Sequence, residues 1–167
     1  MPKNTRESAP PGIAQRWPTL LIIKLGRITL HRFTEALEPF GIRPRHVAAL
    51  IELRDRGELT QQSLCGQLHL DPTNLVAILN ELEQRGYATR RRDPEDRRRH
   101  LVEVSKKGIA VIEKVSEVMD GVEAELLDGF TPDARREFEG LLTSIWERSG
   151  GYEELSLVPA DADDKVA

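Results

Sequence analysis

Cysteine occurs once, at Cys65, so no disulfide can form within this chain, and a lone thiol suits a reducing, cytoplasmic setting. Aromatic residues make up only 5%, which leaves the core to Leu, Ile, Val and Ala. No apolar run reaches the roughly 20 residues needed to cross a bilayer, so no membrane partner is expected. Residues Met1–Gly12 are polar and Pro-rich, without the apolar stretch of a secretion signal. A Gly-rich phosphate loop, a nucleophile elbow and a carboxylate pair beside a base are all missing, which argues against an enzyme. The four histidines (His31, His46, His69, His100) are scattered, and no His or Cys pair has metal-ligand spacing. Neither a metal nor a resident cofactor is expected.

Positive charge is outnumbered overall, and it is concentrated. The chain carries a formal net charge of −4, yet Arg85–Lys107 holds nine Lys/Arg against four Asp/Glu, a local +5. Within that stretch, Tyr87–Arg92 and Arg99–Val104 are β-prone runs flanking a charged tip, Asp93–Arg98. A basic hairpin on an otherwise acidic chain is the footprint expected of a local polyanion site; a uniformly basic nucleic-acid coat is excluded.

The remainder reads as helices. The first opens near Trp17-Pro18 and runs to about Phe40, with Trp17, Leu20, Leu21, Leu25, Ile28, Phe33 and Leu37 at three- and four-residue steps. Ile22, Ile23 and Leu30 lie off that stripe, so this helix is either buried centrally or in contact with another subunit. Pro44 opens a second helix to about Arg54, and Thr60 caps a short third one in which Leu64, Cys65 and Leu68 point inward. Asp71-Pro72 then caps and opens a fourth, whose Leu75, Ile78, Leu79 and Leu82 form a clean stripe ending at Gly86. After the hairpin, Ser105 caps a long helix to about Leu127, and Thr131-Pro132-Asp133 starts a last one to about Arg148, with Phe138, Leu141, Leu142, Ile145 and Trp146 as its inner residues. The fold class is mainly α with a small β-wing.

Two short helices joined by a tight turn form a helix-turn-helix pattern, and the second is suited to the major groove of duplex DNA. With its stripe buried, that helix presents Thr73, Asn74, Ala77 and Asn80, with Val76 on the flank. Asn can pair bidentately with adenine, and Thr, Ala and Val suit phosphate or a thymine methyl. Arg97, Arg98 and Arg99 at the tip cannot all point one way, because side chains on a strand alternate. One parity can reach a narrow minor groove, where the potential favours an inserted Arg. Asp96 within reach of Arg98 would hold its guanidinium, and Arg90, Arg91 and Arg92 on the opposite strand can meet phosphates.

At this point the chain resembles the multiple-antibiotic-resistance regulator (MarR) family of winged-helix repressors. The resemblance is carried by Thr60-Gln-Gln-Ser-Leu, Leu70-Asp-Pro-Thr-Asn-Leu, Asn80-Glu-Leu-Glu-Gln-Arg-Gly, Arg92-Asp-Pro-Glu-Asp-Arg-Arg and Val104-Ser-Lys-Lys-Gly, over about Trp17 to Gly150. It implies a winged helix-turn-helix domain over 44–104, a dimerisation helix over 17–43 and dimerisation helices over 105–150. Residues 1–16 and 151–167 would be a disordered arm and an acidic disordered tail. It implies a homodimer that binds a pseudo-palindromic duplex, most simply as a repressor, with Asp96 and Arg98 as the wing pair and Thr73, Asn74, Val76 and Ala77 as the base-reading helix start. It also implies a small anionic or phenolic effector in a crevice between dimer base and DNA lobe.

The chain departs from the family pattern in places. Val76 and Ala77 stand where relatives often carry Thr and Arg, which shifts base reading toward Asn74 and Asn80. Ser63 leaves the capping box at Thr60 incomplete, and Arg43 stands where a capping Ser or Thr is common. Two other readings compete. A winged-helix module could bind protein or RNA, although small residues at Asp71–Val76 favour a groove. Cys65 could respond to oxidants, although peroxide-sensing relatives carry their Cys on the first helix and a small buried Cys is ordinarily inert.

Overall fold

A computed structural model describes residues 17–149. The expectations for residues 1–16 and 151–167 therefore lie outside the described residues. Helix α1 spans Pro18–Leu37, and a 3₁₀ turn, Glu38–Phe40, follows it. The α-helix stops short of Phe40 because Pro39 has no N–H to continue the ladder. Gly41 then turns the chain at φ 64°, a left-handed conformation suited to glycine. Next come α2 (Pro44–Arg56), β1 (Leu59–Thr60), α3 (Gln61–Gln67), α4 (Pro72–Gln84), β2 (Ala88–Arg92) and β3 (His100–Val104). Helices α5 (Lys106–Leu126) and α6 (Pro132–Arg148) complete the described chain.

The two-residue strand β1 is not foreseen in the sequence. It pairs antiparallel with β3, Leu59 opposite Val102 and Thr60 opposite Leu101, and makes the sheet order β1-β3-β2. Two residues carry no periodicity, so this strand exists only because the hairpin supplies an edge to pair with. Val102, at the centre of the sheet, is fully buried. Around it pack Leu50 and Leu53 of α2, Leu64 of α3, and Leu75, Leu79 and Leu82 of α4, all with essentially no exposure. This leucine core locks α4 against the sheet and thereby sets which of its faces turns outward.

One expectation about burial is corrected, and one left open is narrowed. Of the inner residues expected on α6, Leu141, Leu142, Ile145 and Trp146 are exposed and Phe138 is only half-buried; α6 has no buried residue. Helix α1 is not centrally buried either: Leu37 alone is buried, while Trp17, Leu20, Ile22, Ile23, Leu25 and Ile28 face outward. Periodicity shows that a stripe is apolar, not what covers it, and a single chain has too few elements to cover these two. Between α1, α5 and α6 lies an open apolar groove of about 450 Å³, lined by residues that include Leu25, Leu30, Phe33, Met119 and Leu142. Among the described residues no helix is long and apolar enough to cross a membrane.

Candidate nucleic-acid interface

Helix α4 begins at Asp71, whose Oδ1 accepts the main-chain N–H groups of Thr73 (2.9 Å) and Asn74 (3.0 Å). These bonds, the one from Asn74 foremost, hold the Asp71 carboxyl below its ordinary pKa. Its second oxygen accepts from Asn74 Nδ2 at 2.5 Å. Leu75, Ile78, Leu79 and Leu82 are buried, so Thr73, Asn74, Val76, Ala77 and Asn80 are all exposed, as the stripe requires. The turn between α3 and α4 is tight: His69 adopts φ 49°, and Leu70 N–H donates to the Cys65 carbonyl at 3.2 Å.

The end of α4 launches the wing. Gly86 sits at φ 71°; its N–H donates to Glu83 O, and Tyr87 N–H donates to Leu82 O, both at 2.8 Å. This paired closure satisfies the last carbonyls of the helix and turns the chain directly into β2. Strands β2 and β3 pair in register from Ala88–Val104 to Arg92–His100. At the tip, Asp93 N–H donates to Arg99 O (3.1 Å) and Arg99 N–H to Asp96 O (2.8 Å).

The arginines divide into held and open groups. Arg90 turns toward α4, where Nε donates to Glu83 Oε2 at 2.7 Å, Nη2 joins the same carboxylate, and Nη2 also donates to Asn80 Oδ1 at 2.5 Å. Arg91, of opposite parity, pairs with Glu58 at 2.7 Å. Arg99 Nε lies 3.3 Å from Asp96 Oδ2. Asp96 therefore grips the guanidinium of Arg99, not that of Arg98. Its Oδ1 instead accepts the main-chain N–H of Arg98 at 3.0 Å, because an Asp two residues upstream closes a local turn before it can reach a side chain on the other parity. Among the described residues no ion pair engages Arg92, Arg97 or Arg98, and all three are exposed. Arg90 and Arg91 thus each pair with a carboxylate of the same chain, Arg91 with its side chain still half exposed, contacts the sequence could not show because only the fold brings Glu83 and Glu58 to the wing.

Further contacts steady the frame. His46 Nδ1 accepts the Arg43 N–H at 2.9 Å, so the histidine three residues on caps α2 from within where Arg43 cannot. Its Nε2 lies 3.3 Å from Glu81 of α4. Thr60 Oγ1 accepts Ser63 N–H at 3.0 Å, a one-sided cap as Ser63 predicts. Cys65 is half-buried where full burial was expected, and its thiol donates to the Leu70 carbonyl at 2.6 Å. Burial, and then the Asp71 charge, push its pKa up, which disfavours the thiolate that oxidants attack. No group of three His, Cys, Asp or Glu among the described residues could hold a metal.

An exposed helix start of small polar side chains, set beside an arginine-tipped hairpin, is the winged helix-turn-helix arrangement. A family model described as the MarR family matches residues 42–100. The chain is 30% identical over 115 residues to the uncharacterized HTH-type transcriptional regulator YwoH of Bacillus subtilis (strain 168), covering 69% of this chain and 83% of that protein. The chain belongs to the MarR family. It is a transcriptional regulator of the winged-helix type. The fold is also that of wild-type MarR from E. coli in its apo form, with TM-score 0.69 and 23% identity over 83% of this chain and 98% of that one. A mutant MarR from E. coli complexed with operator DNA gives TM-score 0.61 and 23% identity over 81% and 99%. CouR from Rhodococcus jostii RHA1, bound to p-coumaroyl-CoA, gives TM-score 0.62 and 21% identity over 81% and 95%.

Proposed function

We propose that two copies of this MarR-family chain bind a pseudo-palindromic duplex, each laying α4 in a major groove and its wing tip in the adjoining minor groove. In this reading Thr73, Asn74, Val76, Ala77 and Asn80 face base edges, while Arg92, Arg97 and Arg98 face the sugar–phosphate backbone and the minor groove. Arg90, Arg91, Asp96 and Arg99 shape the wing. The observation that carries the reading is the pairing of an unobstructed α4 start with three wing arginines that no carboxylate of the described chain neutralises. Operator binding by the E. coli mutant of the same fold supports it.

The dimer base is formed by α1, α5 and α6, whose outward apolar residues need a cover that one chain lacks. The protein acts in the cytoplasm as a repressor, by occupancy and not by catalysis. A small anionic or phenolic effector releases it; the ligand held by CouR supports that step. Selection of bound duplexes from a random pool tests the whole reading. Enrichment of a pseudo-palindrome with half-sites about one helical turn apart is expected. Failure to enrich any duplex in dilute buffer would overturn it.

A further inference from the structure

An asparagine amide has a definite orientation when its neighbour can only donate or only accept. Both exposed asparagines of α4 meet that condition, with opposite results. Asn74 Nδ2 donates to the Asp71 carboxylate at 2.5 Å, and an ionised carboxylate can only accept. The Asn74 nitrogen is therefore turned back to the cap, leaving its carbonyl oxygen outward. Asn80 Oδ1 accepts from Arg90 Nη2 at 2.5 Å, and a guanidinium can only donate. The Asn80 oxygen is therefore turned to the wing strand, leaving its two N–H groups available. Arg90 cannot swing away freely, because Glu83 holds both its Nε and Nη2. The six-residue interval between the asparagines spans about 9 Å along the helix, enough to place them over different base pairs.

Base edges in the major groove divide the same way. Adenine N6 and cytosine N4 donate, whereas guanine O6 and thymine O4 accept. We infer that the two asparagines are keyed to opposite base chemistries: Asn74 presents an acceptor to the amino bases, and Asn80, oriented by Arg90, presents donors to the keto bases. The inference rests on the groove reading proposed above. It disfavours the bidentate adenine contact that residue type alone suggests for Asn80, since Arg90 takes one lone pair of that oxygen and turns it toward the wing strand. Arg90 becomes a positioning residue for specificity and not a phosphate ligand.

The test uses the full chain and competition between duplexes carrying each base at every half-site position. The wild type should favour keto over amino bases by about tenfold at one position and amino over keto bases by a similar factor at another. Asn80→Asp keeps an oxygen for Arg90 but replaces the donor with an acceptor, and it lies on an exposed face where folding is not at stake. It should reverse the preference at the keto position and leave the other unmoved. Arg90→Ala combined with Glu83→Gln, which removes both charges of that ion pair together, should shrink the keto preference to within about twofold while leaving the salt slope unchanged. The inference is overturned if Asn80→Asp weakens all duplexes alike, or if the Arg90→Ala, Glu83→Gln double variant flattens the salt slope with the keto preference intact. A wild type that enriches no duplex sinks the groove reading itself, and this inference with it.

Discussion

Arg98 and Arg90 belong to one hairpin and share one side-chain chemistry, but their surroundings assign them different work. Arg98 is exposed, its main chain fixed by Asp96 and its guanidinium open. Its charge is available to release counterions from DNA. Arg98→Ala should weaken binding to all duplexes and reduce the magnitude of the salt slope by about one, with an unchanged melting temperature. Titration at three salt concentrations checks this, and an unaltered slope would count against the minor-groove role. Asp71 offers a test of a different kind. Its carboxyl pKa is lowered in the folded chain, so its contribution to stability is complete above the unfolded value of about 4, declines below that, and is lost as pH falls through the folded value. Asp71→Asn should therefore show a shallower loss of stability than the parent between about pH 5 and about pH 2. Parallel acid titrations followed by circular dichroism would reveal equal slopes if the cap were idle.

Among elements, α4 is held at both ends. Asp71 closes its start, the Gly86 turn closes its finish, and the four leucine and isoleucine side chains between them are buried. The wing is then pinned from behind by α5. Ser105 Oγ donates to Gly86 O at 2.6 Å and accepts Gly108 N–H at 3.0 Å, while Lys107 Nζ donates to Arg85 O at 2.8 Å. Gly108 is required at this junction by space: an added Cβ would lie 2.1 Å from the Tyr87 carbonyl oxygen and 2.7 Å from Val104 Cγ2. Gly108→Ala should cost about 1–3 kcal/mol, the usual range for overpacking a close contact. Denaturant unfolding measures it, and a loss below about 0.5 kcal/mol would show that α5 can shift without strain.

For the molecule as a whole, the question is what covers α1 and α6. A 17-residue helix with no buried residue has little reason to persist in isolation, since most helical stability in proteins comes from docking an apolar face. Ile145 and Trp146 are each half or more exposed and share that helix with Leu141, 59% exposed. Ile145→Glu should convert a dimer to monomers in sedimentation. It should also lower operator affinity by about a hundredfold or more, because the second half-site is then no longer reached intramolecularly. A variant that stays dimeric would place the interface elsewhere.

Order along the chain is enough for the helices and the wing, and with them the family. Caps at Asp71, Ser105 and Thr131, the stripe from Leu75 to Leu82 and the charge concentrated after Arg85 are local signals, readable because helix periodicity and capping act over a few residues. The exposed start of α4 followed from the buried stripe alone. Tertiary structure decided the remainder. The β1 strand, the pairing of Arg91 with Glu58, the clamp of Arg90 on Asn80 and Glu83, and the approach of His46 to Glu81 depend on which side chains the fold brings within 3 Å or so, the reach of a hydrogen bond. An arginine's charge is written in its codon-level identity, but whether that charge is already neutralised is a fact of proximity, and proximity between residues distant along the chain exists only once the sheet has formed.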